Sequence, residues 1–405
     1  GYNAANKQGW KAIFKDSERS NDLPMELLKK PITSPCGNIK DPAIKSAKDT
    51  IVNFVDNFHP KKAESNMNRF EKEGLNWLKK AVNEGTIAIT SADKGGAVII
   101  VTPKIIKDLT AAKVGDPLRY RPLSDDPTSS LCRRLLDIWS VGLESGFVSS
   151  EQSRTVVGLI HNKDTGAFTQ STSDFVKPDT PYGYPLLKIH KLSGDDLLQK
   201  KIPPTRFVTD LSRGVCARSD KFLVWKWLGP LAKDYCADLV KDSTEALLNL
   251  EKLSAKGEVD DSWFSISIDI VSLYDSLQHE LVMTAIDDAI SCCRPDWGQE
   301  FRSWFKSLIQ LSFDSAVLKN DEQWYEVVNG VPTGGINSVD CGNIALFFVL
   351  KNLVYSKKPE GLMNIDRFVD DISGQGKGSI SEMNSWIETV RSQMVDRYHL
   401  DITYE

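Results

Sequence analysis

Residues 365–374 read IDRFVDDISG and place two adjacent carboxylates, Asp370 and Asp371, after a Phe-Val pair and before an isoleucine. Neighbouring side chains on a strand point to opposite faces, so these two carboxylates cannot share one salt bridge. On these residues alone two readings stand open. One is a tight turn between short strands, because Asp tolerates turn geometry and Gly374 follows. The other is a hairpin that offers carboxylate oxygen to a hard divalent cation. A partner elsewhere in the chain decides between them.

That partner is SISIDIVSLYDSL, residues 265–277. Ile266, Ile268 and Ile270 alternate as one face of a strand, and helix-like residues follow. Asp269 ends the apolar run, where an unemployed carboxylate is expensive. Asp370 lies 101 residues further on. Two strands side by side, each delivering a carboxylate at the same level, build a site for two Mg²⁺ ions, with Mn²⁺ as a substitute. Such a site supports in-line displacement at phosphorus: one ion activates an attacking hydroxyl and the other neutralises departing pyrophosphate. Between the two strands lies NGVPTGGINSVDCGNIALFFVL, 329–350, a Gly-rich turn running into an apolar helix.

The bulk numbers bound the answer. A chain of 405 residues needs two or three subdomains, and 41% hydrophobic with 26% charged residues describes a globular protein. Seven Cys include no CxxC pair, and the adjacent Cys292 and Cys293 suit neither zinc nor a simple disulfide. The odd count, with no secretory leader in view, leads us to expect a reducing, intracellular setting. The apolar run IALFFVL, 344–350, meets Lys351 far too early to span a bilayer. The net charge of −5 opposes phosphate binding overall. Residues 181–235, however, carry ten Lys/Arg against five Asp, a local net of +5 that permits a nucleic-acid groove.

Along the chain, residues 1–80 read as polar and helical, with joints at Pro31, Pro35 and Pro42; Phe70, Leu75, Leu78 and Val82 share one helical face. TIAITSADKGGAVIIVTPK, 86–104, is a hairpin or strand–loop–strand around Asp93-Lys94-Gly95-Gly96. Residues 125–180 read as loop-rich, with helical pieces around LCRRLLDIWSVGL. PYGYPLLKIHK, 181–191, and IPPTRFVTD, 202–210, are two extended basic segments of a hairpin that folds over a ligand.

These motifs resemble those of the reverse transcriptase palm. Gly330-Val331-Pro332-Thr333-Gly334-Gly335-Ile336-Asn337-Ser338 resembles the GxPQGGxxSP segment of cellular and intron-type reverse transcriptases, with Thr333 in place of Gln and Val339 in place of Pro. Asn343 falls where that pattern carries its Asn. More specifically, SADKGGAVIIV (91–101), PLLKIHK (185–191), PPTRFV (203–208) and DIVSLYDSLQH (269–279) resemble the Penelope-like retroelement group. That group shows ADKGGA, an LPKIHK-like segment, an Arg-Pro segment, DxxSLYxxIPH and RYxDD. Here the Arg-Pro order is altered to Thr-Arg-Phe, with Arg206 retained. The resemblance covers residues 86–405, and residues 1–85 carry no match.

The resemblance implies an RNA-directed DNA polymerase with an α+β, right-hand fold of fingers and palm, the antiparallel palm sheet carrying helices on one face. It implies a helical N-terminal extension over 1–85, fingers with interleaved palm segments over 86–264, and a palm over 265–405. Its cofactors are two Mg²⁺ ions; its partners are an RNA template, a DNA primer and dNTPs, with no membrane, and its setting is nuclear. The chain stops at LDITYE, 400–405, where a palm would continue. Neither a thumb nor the GIY-YIG nuclease domain of such elements is therefore expected in it.

Asp269, Asp370 and Asp371 are then the catalytic and metal-binding residues. Tyr274, five residues after Asp269, holds the position of the ring that lies beneath the sugar and excludes a 2′-OH; the bland alternative is a core tyrosine. Arg206 reaches the incoming triphosphate with a guanidinium fork. Lys188 and Lys191 share that duty or form a solvated basic face, and His190 between them is a structural hydrogen bonder. Lys94, Gly95 and Gly96 contact template backbone through exposed N–H groups or are only a turn. Gly334 and Gly335 let backbone approach the nucleotide, and Asn343 contacts template.

An RNA-dependent RNA polymerase shares the palm and its carboxylates. It carries an acid five residues after the first Asp, whereas here Tyr274 stands there and Asp275 is one step too late. A retired polymerase kept as a nucleic-acid binder is the other rival, against which stands the presence of all three Asp residues.

Overall fold

The computed structural model describes residues 67–161, 168–170, 178–199, 201–255 and 262–405; the Pro-jointed stretch within 1–66 lies outside the described residues. The chain divides into two compact units, 1–88 and 89–405. In the first, α1 (Arg69–Asn83) is the expected amphipathic helix. It begins with a capping box: Asn68 Oδ1 accepts from the Glu71 amide at 3.0 Å, and Glu71 Oε2 accepts from the Asn68 amide at 2.6 Å.

In the second unit β1 (Ala88–Ser91, whose first residue closes the first unit) and β2 (Val98–Val101) pair around Asp93–Gly96. Helix α2 (Pro103–Val114) follows, then β3 (Tyr120–Leu123), α3 (Thr128–Glu144) and α4 (Ser150–Val157). The helical piece expected around LCRRLLDIWSVGL is α3, and α4 is a second helix in a stretch otherwise expected to be loop-rich. Burial of Leu131, Leu135 and Trp139 drives α3, while a Ser149–Gln152 capping box starts α4 and Gly158, at φ 70°, ends it. Strands β4 (Leu159–His161) and β5 (Phe168–Gln170) pair with each other. Strands β6 (Tyr182–Leu187) and β7 (Thr205–Asp210) form the expected basic hairpin, antiparallel, with Leu186 opposite Arg206.

Helix α5 (Ala217–Leu223) runs through a π turn at Val224–Leu228 into the helical segment Gly229–Tyr235, and α6 (Ser243–Ala255) precedes β8 (Trp263–Ile270). After α7 (His279–Cys293) and α8 (Gln299–Asp314), strand β9 (Val317–Asn320) pairs with β10 (Gln323–Val327), which also pairs with β3. Helix α9 (Ser338–Leu350) is apolar almost all round, which commits it to the interior. Strands β11 (Leu362–Phe368) and β12 (Asp371–Lys377), helix α10 (Ile380–Tyr398) and strand β13 (Ile402–Tyr404) complete the unit.

The central sheet is four-stranded and antiparallel, in the order β11-β12-β8-β13. Its two faces follow from the period of two. Ile266, Ile268 and Ile270 of β8 are buried, as expected, while Ser265, Ser267 and Asp269 are exposed. The apolar face meets Leu350 of α9, Val354 beyond it, and Trp386, Val390 and Met394 of α10, so helices cover one side. The opposite side keeps its polar residues. No helix of the described residues is long and apolar enough to cross a membrane, and Cys292 and Cys293 are free thiols.

Candidate active site

Pairing of β12 with β8 sets Asp371 directly opposite Asp269 on the open face. Cross-strand partners of this kind have Cβ atoms about 5 Å apart. Asp371 is therefore the register partner of Asp269. Asp370 stands beside the pair, on the two-residue turn that joins Phe368 to Asp371. The turn's first residue, Val369, has φ 56°. Hairpin turns of this length call for positive φ at that position and usually meet it with glycine.

The three carboxylates feel one another. Burial and the charges of Asp370 and Asp371 push the Asp269 carboxyl above its ordinary range, and Lys191 and Lys94 oppose the shift. Both lysines lie near enough for their charge to favour the ionised Asp269 carboxylate. Among the described residues no three His, Cys, Asp or Glu side chains converge into a ready-made cage for a metal ion. Magnesium does not require one: it takes one or two carboxylates and completes its shell with water and substrate phosphate. Asp269 and Asp371, with Asp370 at their edge, fit that donor set.

Arg206 projects from β7 with its side chain 47% exposed, its Nε 3.1 Å from Asp93 Oδ1. The Asp93 side chain is 2% exposed and makes no aligned hydrogen bond, so Arg206 is its charge partner. The Asp93 amide donates to Leu187 O at 3.1 Å, which docks the Asp93–Gly96 turn on the β6/β7 hairpin. Gly95 and Gly96 have φ 78° and 64° and, with Lys94, lie exposed at the tip. Lys188 is half-buried where its amide donates to Pro204 O at 2.8 Å; Lys191 and His190 are exposed.

Tyr274 sits on the helical turn Leu273–Ser276, just after β8. Burial, with the Asp370 charge second, pushes its phenol up to about 12 against the pull of Arg206. Its ring lies against Gly342 of α9, where a Cβ would come within 3.2 Å of Tyr274 Cε1. Asp275 is occupied by Lys113 at 2.9 Å and by Arg119. Its carboxylate is thus bound to α2 and the loop before β3.

The Gly-rich turn has packing duties of its own. At Gly334, φ 107°, a Cβ would meet Thr209 O at 2.4 Å, and Thr209 N donates to Thr333 O at 2.8 Å. The close approach is thus to β7. At Gly335 a Cβ would lie 2.4 Å from Ser338 Oγ, itself bonded to Pro332 O at 2.8 Å. Asn343 requires correction. Expected at the template, it is buried, with its amide oxygen accepting from Arg367 Nη1 at 3.0 Å. The apolar surroundings of α9 turn it inward.

Four charged residues of consequence were given no role by the sequence. Asp93 holds Arg206 in place. Arg367 and Asp238 form a buried ion pair under the Val369–Asp370 turn. Asp220, buried on α5, accepts from Ser312 Oγ at 2.8 Å, and Ser312 Oγ accepts from Asn337 Nδ2 at 3.0 Å, a chain that ends in the Gly-rich turn. Burial pushes Asp220 up to about 7. For Arg367 a signal existed: it stands where the RYxDD segment carries its Arg.

No protein-family model and no curated protein matches the chain. Among solved structures, apo telomerase from Candida tropicalis truncated from its C-terminal domain is similar over 89% of this chain and 71% of that one, with TM-score 0.48 and 12% identity. Telomerase from Candida albicans in complex with a TWJ fragment of telomeric RNA is similar over 84% of this chain, at TM-score 0.47 and 12% identity. Telomerase from Candida tropicalis with the same kind of RNA fragment is similar over 80%, at TM-score 0.47 and 12% identity. The chain spans 55% and 48% of these last two.

Proposed function

We propose that this chain is an RNA-directed DNA polymerase of Penelope-like type, which adds dNTPs to a primer 3′-OH. The observation that carries the reading is the register of Asp371 against Asp269 on an open polar face, with Asp370 in the adjoining turn. In it, Asp269, Asp370 and Asp371 would hold Mg²⁺, which when bound would supply Lewis-acid activation of the primer hydroxyl and charge neutralisation for the pyrophosphate. Lys191 and the half-exposed Arg206 bind and orient the triphosphate from the β6/β7 side. Tyr274, its ring packed against Gly342, limits the space under the sugar. Asp275, already paired to Lys113 and Arg119, is not free to accept a ribose 2′-OH.

Primer extension in Mg²⁺, with RNA against DNA template and dNTP against rNTP, tests the reading. Extension of DNA on RNA with dNTPs is expected. A preference for rNTPs would make the chain an RNA polymerase, and no extension on any template would make it a nucleic-acid binder.

A further inference from the structure

Val369 is the least comfortable residue of the site. Its φ of 56° lies in the left-handed region, which a β-branched side chain adopts only when its surroundings impose it. The two-residue turn calls for it, and what holds the turn lies directly below. Arg367 is fully buried, and its Nη1 donates to Val369 O at 3.0 Å and to Asn343 Oδ1 at 3.0 Å. The same guanidinium grips Asp238 with both arms, Nε to Oδ2 at 2.8 Å and Nη2 to Oδ1 at 3.1 Å. Tyr355 OH donates to Asp238 Oδ2 as well. The backbones are tied too: Arg367 N donates to Asp238 O, and Val240 N to Arg367 O, each at 2.9 Å.

We infer that Arg367 and Asp238 are positioning residues, which hold the Val369 carbonyl so that the turn presents Asp370 beside Asp269 and Asp371. The inference rests on the polymerase reading for its consequence, and on geometry alone for the clamp. A guanidinium suits the task because its rigid fork satisfies a carboxylate, an amide oxygen and a main-chain carbonyl together. Lysine supplies charge without that fork. Buried partners behind metal-binding carboxylates commonly govern affinity or rate by about ten- to a hundredfold.

Two variants test it, Arg367→Lys and Asp238→Asn, each with three measurements. Hydrogen exchange followed by mass spectrometry should quicken in the peptide over 365–375 while the α9 peptide stays protected. The kcat for dNTP addition should fall about ten- to a hundredfold and the Mg²⁺ half-saturation should rise. Primer–template affinity measured in EDTA should stay unchanged. Adding Val369→Gly to Arg367→Lys should restore part of kcat, because glycine adopts this φ without support. Unchanged exchange in the turn, or no rescue by glycine, would overturn the assignment. Loss of folding in both variants would make the pair purely structural and overturn it too. A wild-type chain that extends no primer would sink the polymerase reading, while the exchange measurement would still decide the clamp.

Discussion

Two Arg–Asp pairs flank the carboxylates, and they are built differently. Beneath the turn, Arg367 and Asp238 are 0% and 4% exposed and joined through both arms of the guanidinium. On the β6/β7 side, Arg206 is 47% exposed and Asp93 2%, with a single approach through Nε. The first guanidinium spends every donor inside the protein. The second is half-exposed, with its Nε beside a buried carboxylate. A charge enclosed on all sides sets a position, whereas one anchored at its root and open at its tip receives a ligand. The turn side of the site is thus preset, and the β6/β7 side is responsive.

Predictions that break or sharpen this contrast run from large to small. Asp269→Ala should cut nucleotide incorporation at least roughly a thousandfold with the fold intact by circular dichroism, since a metal ligand is worth several kcal/mol in the transition state. Retained incorporation would remove the preset side altogether. Arg367→Ala should destabilise the protein by about 3–5 kcal/mol in denaturant titration, because it leaves Asp238 buried and alone. Arg206→Lys should barely move that midpoint but raise the KM for dNTP roughly tenfold, the worth of a charge-assisted bond. Equal stability losses for the two would erase the distinction.

Tyr274→Val should admit rNTPs, raising their kcat/KM by about ten- to a hundredfold while dNTP use falls modestly. Joint loss of both substrates would mark Tyr274 as a core residue only. The smallest effect concerns Asp220. Burial raises its folded-state value to about 7, whereas the unfolded chain releases this proton near pH 4. The folded state therefore loses stability as pH rises from about 4 to about 7, and the loss is complete above that. Asp220→Asn should gain a few degrees of Tm over wild type at pH 8 and little at pH 5. A constant difference across that range would contradict the assignment.

What the sequence disclosed and what it hid differ by the range of the interaction. The β8 alternation, the Gly-rich turn into α9 and the β6/β7 hairpin all rest on local periodicity or turn chemistry, and each is legible residue by residue. Asp269 and the Asp370–Asp371 pair were legible as chemistry, but not which of the two stands opposite Asp269, because register is decided by how strands pair. Helix α3 was legible in LCRRLLDIWSVGL, whereas α4 was missed, because its Ser149–Gln152 capping box outweighs a polar composition. Arg367–Asp238 and Arg206–Asp93 each join positions more than a hundred residues apart, and no local pattern announces a partner at that distance. Asn343 fitted its motif and still faces inward, since a motif fixes a residue's place and its neighbours fix its direction.

The Asp371–Asp269 register has a kinetic side. These two carboxylates lie roughly a hundred residues apart in the chain and meet only when β12 zips onto β8, a contact of high sequence separation that forms slowly. A refolding chain is therefore expected to recover its helical signal before Asp371 and Asp269 stand opposite one another, and any property that needs the two together is the last to appear.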